Sequence, residues 1–399
     1  MIRPSTIAGK WILPIIVFAQ FCCTALWFAG NAVLPELITN FQLSPDALAH
    51  LTSAVQFGFI SGTLIFAFLT LADRFSPSLV FWVCACFGAA FNLGITLPQN
   101  DLMRLLLFRF LTGFCLAGIY PVGMKIAADY YQKGLGKSLG FLVGALVVGT
   151  AFPHLLKGLA TDLPWRVILY SISILSVLGG TLLLVFVPDG PYRKPSLGLD
   201  FSALFKVFRN PAFRSAALGY FGHMWELYAF WAFVPILLLE YTNLAQGSSG
   251  LNPSILAFFI IGLGGLACVA GAFLAAQKGT QKTAAIALFL SGSCCLVAPF
   301  IFRLHIEILT IFFLLFWGLV VIADSPLFST LVAQHAPAAT KGTALTIVNC
   351  IGFSVTIISI QLLNYLKAQF DSPYIYMVLA LGPILGLLAL YRKASITKK

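Results

Sequence analysis

Long apolar runs recur along the chain, and short polar connections separate them. A run of roughly 20 mostly apolar residues is enough to cross a bilayer as a helix. Twelve such runs are predicted as helices, at 11–34, 50–71, 78–97, 103–127, 136–156, 165–187, 213–238, 253–276, 283–302, 308–332, 342–365 and 374–391. Neither an alternating strand pattern nor a soluble amphipathic stripe dominates any of them. The one long connection, about 188–212, is rich in Pro, Gly and mixed charge, which marks a linker between two six-span halves, 1–187 and 213–399. Arg3 and Lys10 before the first run look like the start of a signal peptide. The run continues to Leu34 without a cleavage-like site, so it is read as a retained span.

Composition sharpens this picture. Of 399 residues, 60% are hydrophobic and 9% charged. A soluble protein carries about 25% charged residues and could not clothe its surface with so few. The net charge of +11 would otherwise suggest nucleic acid, but the basic residues sit in the connections, where they report orientation. With twelve spans, 18 of the 24 Lys and Arg residues fall on the side that holds both termini. The positive-inside rule makes that side cytoplasmic, and the short loops favour a bacterial inner membrane. All nine cysteines lie inside apolar runs without a C-x-x-C pair, so neither disulfides nor a metal site is expected.

The two halves read as copies. Phe21, Ala29, Ala32 and Pro35 in span 1 match Phe221, Ala229, Ala232 and Pro235 in span 7, and Gly113 and Pro121 in span 4 match Gly318 and Pro326 in span 10. Parallel six-span repeats are one plan of secondary transporters, with the site near mid-membrane at the repeat interface. The connection between spans 2 and 3 reads L-T-L-A-D-R-F-S-P, Leu69 to Pro77. It resembles the G-x-L-A-D-R-x-G-R-K motif of the major facilitator superfamily, with Leu69 and Ser76 in place of the glycines. In span 4, Arg109-x-x-x-Gly113 is similar to that family's second motif. The antiporter signature of span 5 lacks its Gly-Pro pair here, in Gly144 to Pro153. The resemblance implies an all-α membrane fold of twelve helices in two pseudo-symmetric six-helix halves, alternating access, and a monomer. It makes Asp73 and Arg74 a cytoplasmic gate, with the Asp73 carboxylate facing the positive N-terminus of span 11 near Lys341 and Gly342; a solvated Asp73 beside Arg74 is the alternative.

Ionisable groups inside a bilayer cost roughly 2.5–3.5 kcal/mol on insertion scales, so each invites a role. Three stand out: Arg109, Glu226 and Asp324. Glu226 lies near the middle of span 7 and shares a helical face with His223, three residues earlier. A carboxylate beside an imidazole can share or relay a proton, so Glu226, His223 and Asp324 are the candidate proton-coupling set; the competing readings are direct solute contact by Glu226, a structural bond between Glu226 and His223, and a gate or structural polar pair at Asp324. Arg109, always charged, could meet an anionic solute, snorkel, or pair with a carboxylate. Trp27, Asn31, Gln56, Tyr120 and Asn349 join it as candidate solute-binding residues, drawn from polar stripes that include Gln20, Thr24 and Thr63. Interhelical hydrogen bonding is the alternative for the stripes, and for Trp27, Trp231 and Trp317 it is packing. Lys125 is read as snorkelling to the membrane edge.

A secondary active transporter driven by the proton gradient, with no cofactor, follows from these features. No nucleotide-binding G-x-x-x-x-G-K-[ST] is present, and the five histidines form no H-E-x-x-H, which leaves a membrane-embedded enzyme or sensor without a motif. Arg109 and the basic balance favour a small organic anion taken up with protons. The 37 phenylalanines favour proton-antiport efflux of amphipathic compounds. The expected partners are a small-molecule solute and the lipid bilayer, not nucleic acid.

Overall fold

A computed structural model of the chain describes residues 9–131, 135–159, 163–193, 207–244, 252–337, 341–370 and 372–396. It is built from helices, in two compact units, Met1–Gly198 and Leu199–Lys399. The expected linker 188–212 lies partly outside the described residues. Among the described residues eleven helices are long and apolar enough to cross a membrane. They supply spans 2 to 12: Ala47–Phe68, Pro77–Gly94, Leu102–Tyr130, Leu135–Leu159, Trp165–Phe186, Pro211–Glu240, Pro253–Lys278, Thr280–Arg303, Glu307–His335, Lys341–Gln369 and Pro373–Tyr391.

The first span departs from expectation. The run 11–34 is not one helix but Ile12–Thr24, a turn through Phe28, a short helix Ala29–Ala32, and then Leu34–Phe41. The amides of Leu26 and Trp27 turn back three residues, to the carbonyls of Cys23 and Thr24, and four-residue bonding resumes with Ala32 to Phe28. A uniformly apolar run hides such an interruption, because hydrophobic content does not depend on where backbone bonds are made.

Spans 4 and 10 are interrupted at matching places. Leu102–Leu116 gives way to Tyr120–Tyr130, and Glu307–Val320 to Ser325–His335, with Pro121 and Pro326 in the first turn of each second segment. Proline has no amide hydrogen and a locked φ, so it starts a helix well and removes one bond from a helix it continues.

The repeat is also visible in packing. A Cβ at Gly113 would stand 2.0 Å from the carbonyl oxygen of Val55, and one at Gly318 would stand 1.9 Å from that of Ile260. Both pairs are separated by the same number of residues, so spans 2 and 4 touch as spans 8 and 10 do. Without a hydrophobic drive between helices in lipid, such close backbone approach is what holds neighbouring spans together.

Gly113→Ala and Gly318→Ala should each force a helix pair apart, at a cost of about 1–3 kcal/mol as overpacking. Thermal unfolding in detergent should show both variants melting below the parent. Gly136→Ala, where a Cβ meets nothing within 4 Å, should leave the melting temperature unchanged or slightly raised, since alanine is the better helix former.

Candidate functional site

In the first unit the interruption of span 1 brings Arg109 inward. The carbonyls of Leu26 and Trp27 lose their helical donors there, and in a bilayer no water replaces them. Arg109, one turn before Gly113 on span 4, supplies the donors: its guanidinium bonds the Leu26 carbonyl at 3.1 Å and the Trp27 carbonyl more closely still. The fork of Arg suits two adjacent carbonyls in a way that a lysine ammonium does not. Gly30 makes room, since a Cβ there would lie 3.2 Å from Arg109 Nε. Arg109 is 1% exposed, its Nε has no partner, and among the described residues no carboxylate pairs with it. Arg109 therefore neither snorkels nor joins an ion pair; it is a buried cation held by backbone dipoles.

The other candidates of this unit surround the same turn. Trp27 is buried, with its ring 4.9 Å from Phe59. Asn31 donates to the Thr52 hydroxyl at 2.8 Å and ties span 1 to span 2. Gln56, one helical turn along from Thr52, is fully buried. Tyr120 opens the second segment of span 4 and is half-buried.

In the second unit two polar rungs join spans 7 and 10. His223 Nδ1 lies 2.8 Å from Asp324 Oδ1, and the Trp317 indole donates to Glu226 Oε1 at 2.6 Å. The helices run antiparallel, so a three-residue step on one side meets a seven-residue step on the other. All four residues are at most 1% exposed. Glu226 receives a second bond from the Ser291 hydroxyl on span 9, at 2.9 Å. Trp317 packs against Phe230 and Phe313, with ring centroids 4.5 and 5.7 Å apart. The partnership differs from the competing reading of a direct Glu226–His223 bond: neighbours on one helix face share direction, but here each meets a different residue of the facing helix. Asn349 is half-buried on span 11 and accepts from the Tyr220 hydroxyl at 2.7 Å.

Asp73 lies in a separate cluster at one end of the first unit. Its carboxylate pairs with Lys125 of span 4 at 2.9 Å, and Lys125 also approaches Asp129 at 3.7 Å. Arg193 donates to the carbonyls of Asp73 and Phe75 at 2.8 and 2.7 Å, and Ser76 donates to Asp189 at 2.7 Å. Arg74 is exposed. Lys125 thus does not simply snorkel: it closes an ion pair with a residue 52 positions away. At the opposite end of the first unit Glu36 pairs with Lys157, and in the second unit Glu240 pairs with Lys367.

Sequence reasoning passed over Ser291 and Arg193. Ser291 had a signal, a hydroxyl pair inside an apolar run; Arg193 had none beyond its place in a charged connection.

The chain was compared with known proteins. The model described as Major Facilitator Superfamily matches residues 16–360. The Sphingosine-1-phosphate transporter SPNS2 of Xenopus tropicalis is 27% identical over 176 residues, 39% of this chain and 31% of that protein. The Probable L-galactonate transporter of Escherichia coli (strain K12) is 24% identical over 214 residues, 49% of this chain and 47% of that protein. The chain thus spans about a third and about half the length of these two relatives. The crystal structure of the human organic anion transporter MFSD10 (TETRAN) superimposes with a TM-score of 0.75 at 14% identity, covering 96% of this chain and all of that one.

Arg109→Lys should leave at least one carbonyl of the span 1 turn without a donor, and lower stability by about 1–3 kcal/mol. Trp317→Phe keeps the aromatic packing but removes the donor to Glu226; a loss of the same size is expected. Both are read as shifts in thermal unfolding against the parent protein.

Proposed function

The chain belongs to the Major Facilitator Superfamily, and on that premise we propose that it is a secondary active transporter that moves a small organic anion by alternating access, coupled to protons at Glu226. The observation that carries this reading is the state of Arg109. A desolvated cation without a counter-charge costs several kcal/mol. Its two backbone bonds lower that cost without neutralising the charge. A mobile anion bound beside it would do so, and would be released when the surroundings rehydrate. The names of the three similar proteins support the same class, since sphingosine-1-phosphate, galactonate and organic anions all carry negative charge.

Trp317 and Ser291 donate to the Glu226 carboxylate, and among the described residues no ion pair holds it, so protonation breaks none. Ser291 Oγ lies 2.9 Å from Glu226 Oε2 and 3.2 Å from the Leu288 carbonyl. Its hydroxyl can donate to an ionised Glu226, or turn to the Leu288 carbonyl and accept from a protonated one. Both protonation states are therefore accommodated without moving a helix. His223 and Asp324, one rung away, form a second site where a proton can reside.

Uptake into proteoliposomes under an imposed pH gradient tests this. Glu226→Gln should abolish gradient-driven accumulation while leaving solute exchange across the membrane intact. Accumulation by Glu226→Gln that still follows the pH gradient would remove Glu226 from the mechanism. A protein that transports amphipathic cations and no anion would remove the solute class.

A further inference from the structure

The first unit holds hydrogen-bonding capacity that nothing within it uses. The Gln56 amide is 0% exposed, and neither its oxygen nor its nitrogen has a partner. Gln20 is in the same condition, and the buried Thr63 hydroxyl is unmet as well. Gln20 occupies a slot that a side chain on span 4 would fill, since a Cβ at Gly123 would lie 2.3 Å from its Oε1. Buried polar groups are nearly always paired, and each one left unmet costs about 1–3 kcal/mol.

These groups are arranged in register. The Asn31–Thr52 bond fixes span 1 against span 2. Stepping four residues from that bond along both antiparallel spans sets Gln56 at the depth of Trp27, whose carbonyl holds Arg109. Stepping eleven sets Gln20 at the depth of Thr63. Gln20 is six residues from Leu26, roughly 9 Å at 1.5 Å per residue. The unmet groups thus begin at the depth of the unneutralised cation and continue along span 1 as far as Gln20.

We propose that Gln20, Gln56 and Thr63 form a hydroxyl-recognising subsite, and that the solute is a polyhydroxylated carboxylate whose carboxylate lies toward Arg109. An amide offers a donor and an acceptor side by side, as does each hydroxyl of a polyol, so two amides and a threonine match a row of hydroxyls. An alkyl chain would leave all of them unmet. This rests on the anion reading of the preceding section and narrows it.

The test is ligand binding by calorimetry to the full-length protein in lipid nanodiscs. The probes are six-carbon aldonates (galactonate, gluconate and mannonate) and hexanoate, of equal length without hydroxyls. At least one aldonate should bind about 100-fold more tightly than hexanoate, because a site built to bond hydroxyls strongly rejects the analogue without them. Gln20→Leu and Gln56→Leu should each weaken aldonate binding about tenfold or more and leave hexanoate unchanged. Their unliganded melting temperature should hold or rise, since an apolar side chain of similar size replaces an unmet amide. That combination separates a binding role from a structural one, which would lower stability. Aldonate affinity untouched by both substitutions, or hexanoate binding as tightly as aldonates, overturns the subsite while the anion reading stands. Binding of neither carboxylate class, with cationic amphiphiles binding instead, overturns both.

Discussion

No water is available in a bilayer core to bond a peptide carbonyl, and the first unit is organised around that constraint. Span 1 breaks its own ladder between Thr24 and Ala29, and a side chain from span 4 must complete it. The choice of Arg for this task has a second effect: completing the ladder also installs a charge. Gly30 leaves room for the guanidinium, Gly113 lets span 4 touch span 2, and Asn31 binds Thr52 just past the turn. Backbone satisfaction, close packing and a buried cation are therefore one arrangement, and altering Arg109, Gly30 or Gly113 disturbs the others.

The two units share their packing and differ in their chemistry. Gly113 and Gly318 press on equivalent carbonyls, Pro121 and Pro326 restart equivalent helices, and each unit pairs a Glu with a Lys, Glu36 with Lys157 and Glu240 with Lys367. Yet at the repeat spacing set by Gly113 and Gly318, Leu314 stands where Arg109 would. At the spacing set by Phe21 and Phe221, Leu26 stands where Glu226 would. Arg109 belongs to one half, and Glu226 and Asp324 to the other.

Much of this was legible in the chain. Apolar runs contrast sharply with charged connections, so the helices could be read. Arg109, Glu226 and Asp324 stood out because ionisable groups are rare in such runs. Partners were not legible. His223 and Glu226 share a face of span 7, but Asp324 and Trp317 on span 10 claim them separately. Lys125 has the look of a residue reaching for the membrane edge, and only the folded connection brings Asp73 to it. The break in span 1 was the least visible feature, because Ala25 to Phe28 are as apolar as the helix they interrupt.

Arg109 grips Leu26 and Trp27 through their peptide oxygens, and every amino acid carries that oxygen. The grip is indifferent to which side chains stand at those two positions. Substitutions there can reshape the surroundings of the charge over evolutionary time without dislodging it. The anchor can stay constant while neighbouring residues diversify, a division of labour by which one scaffold can acquire new cargo.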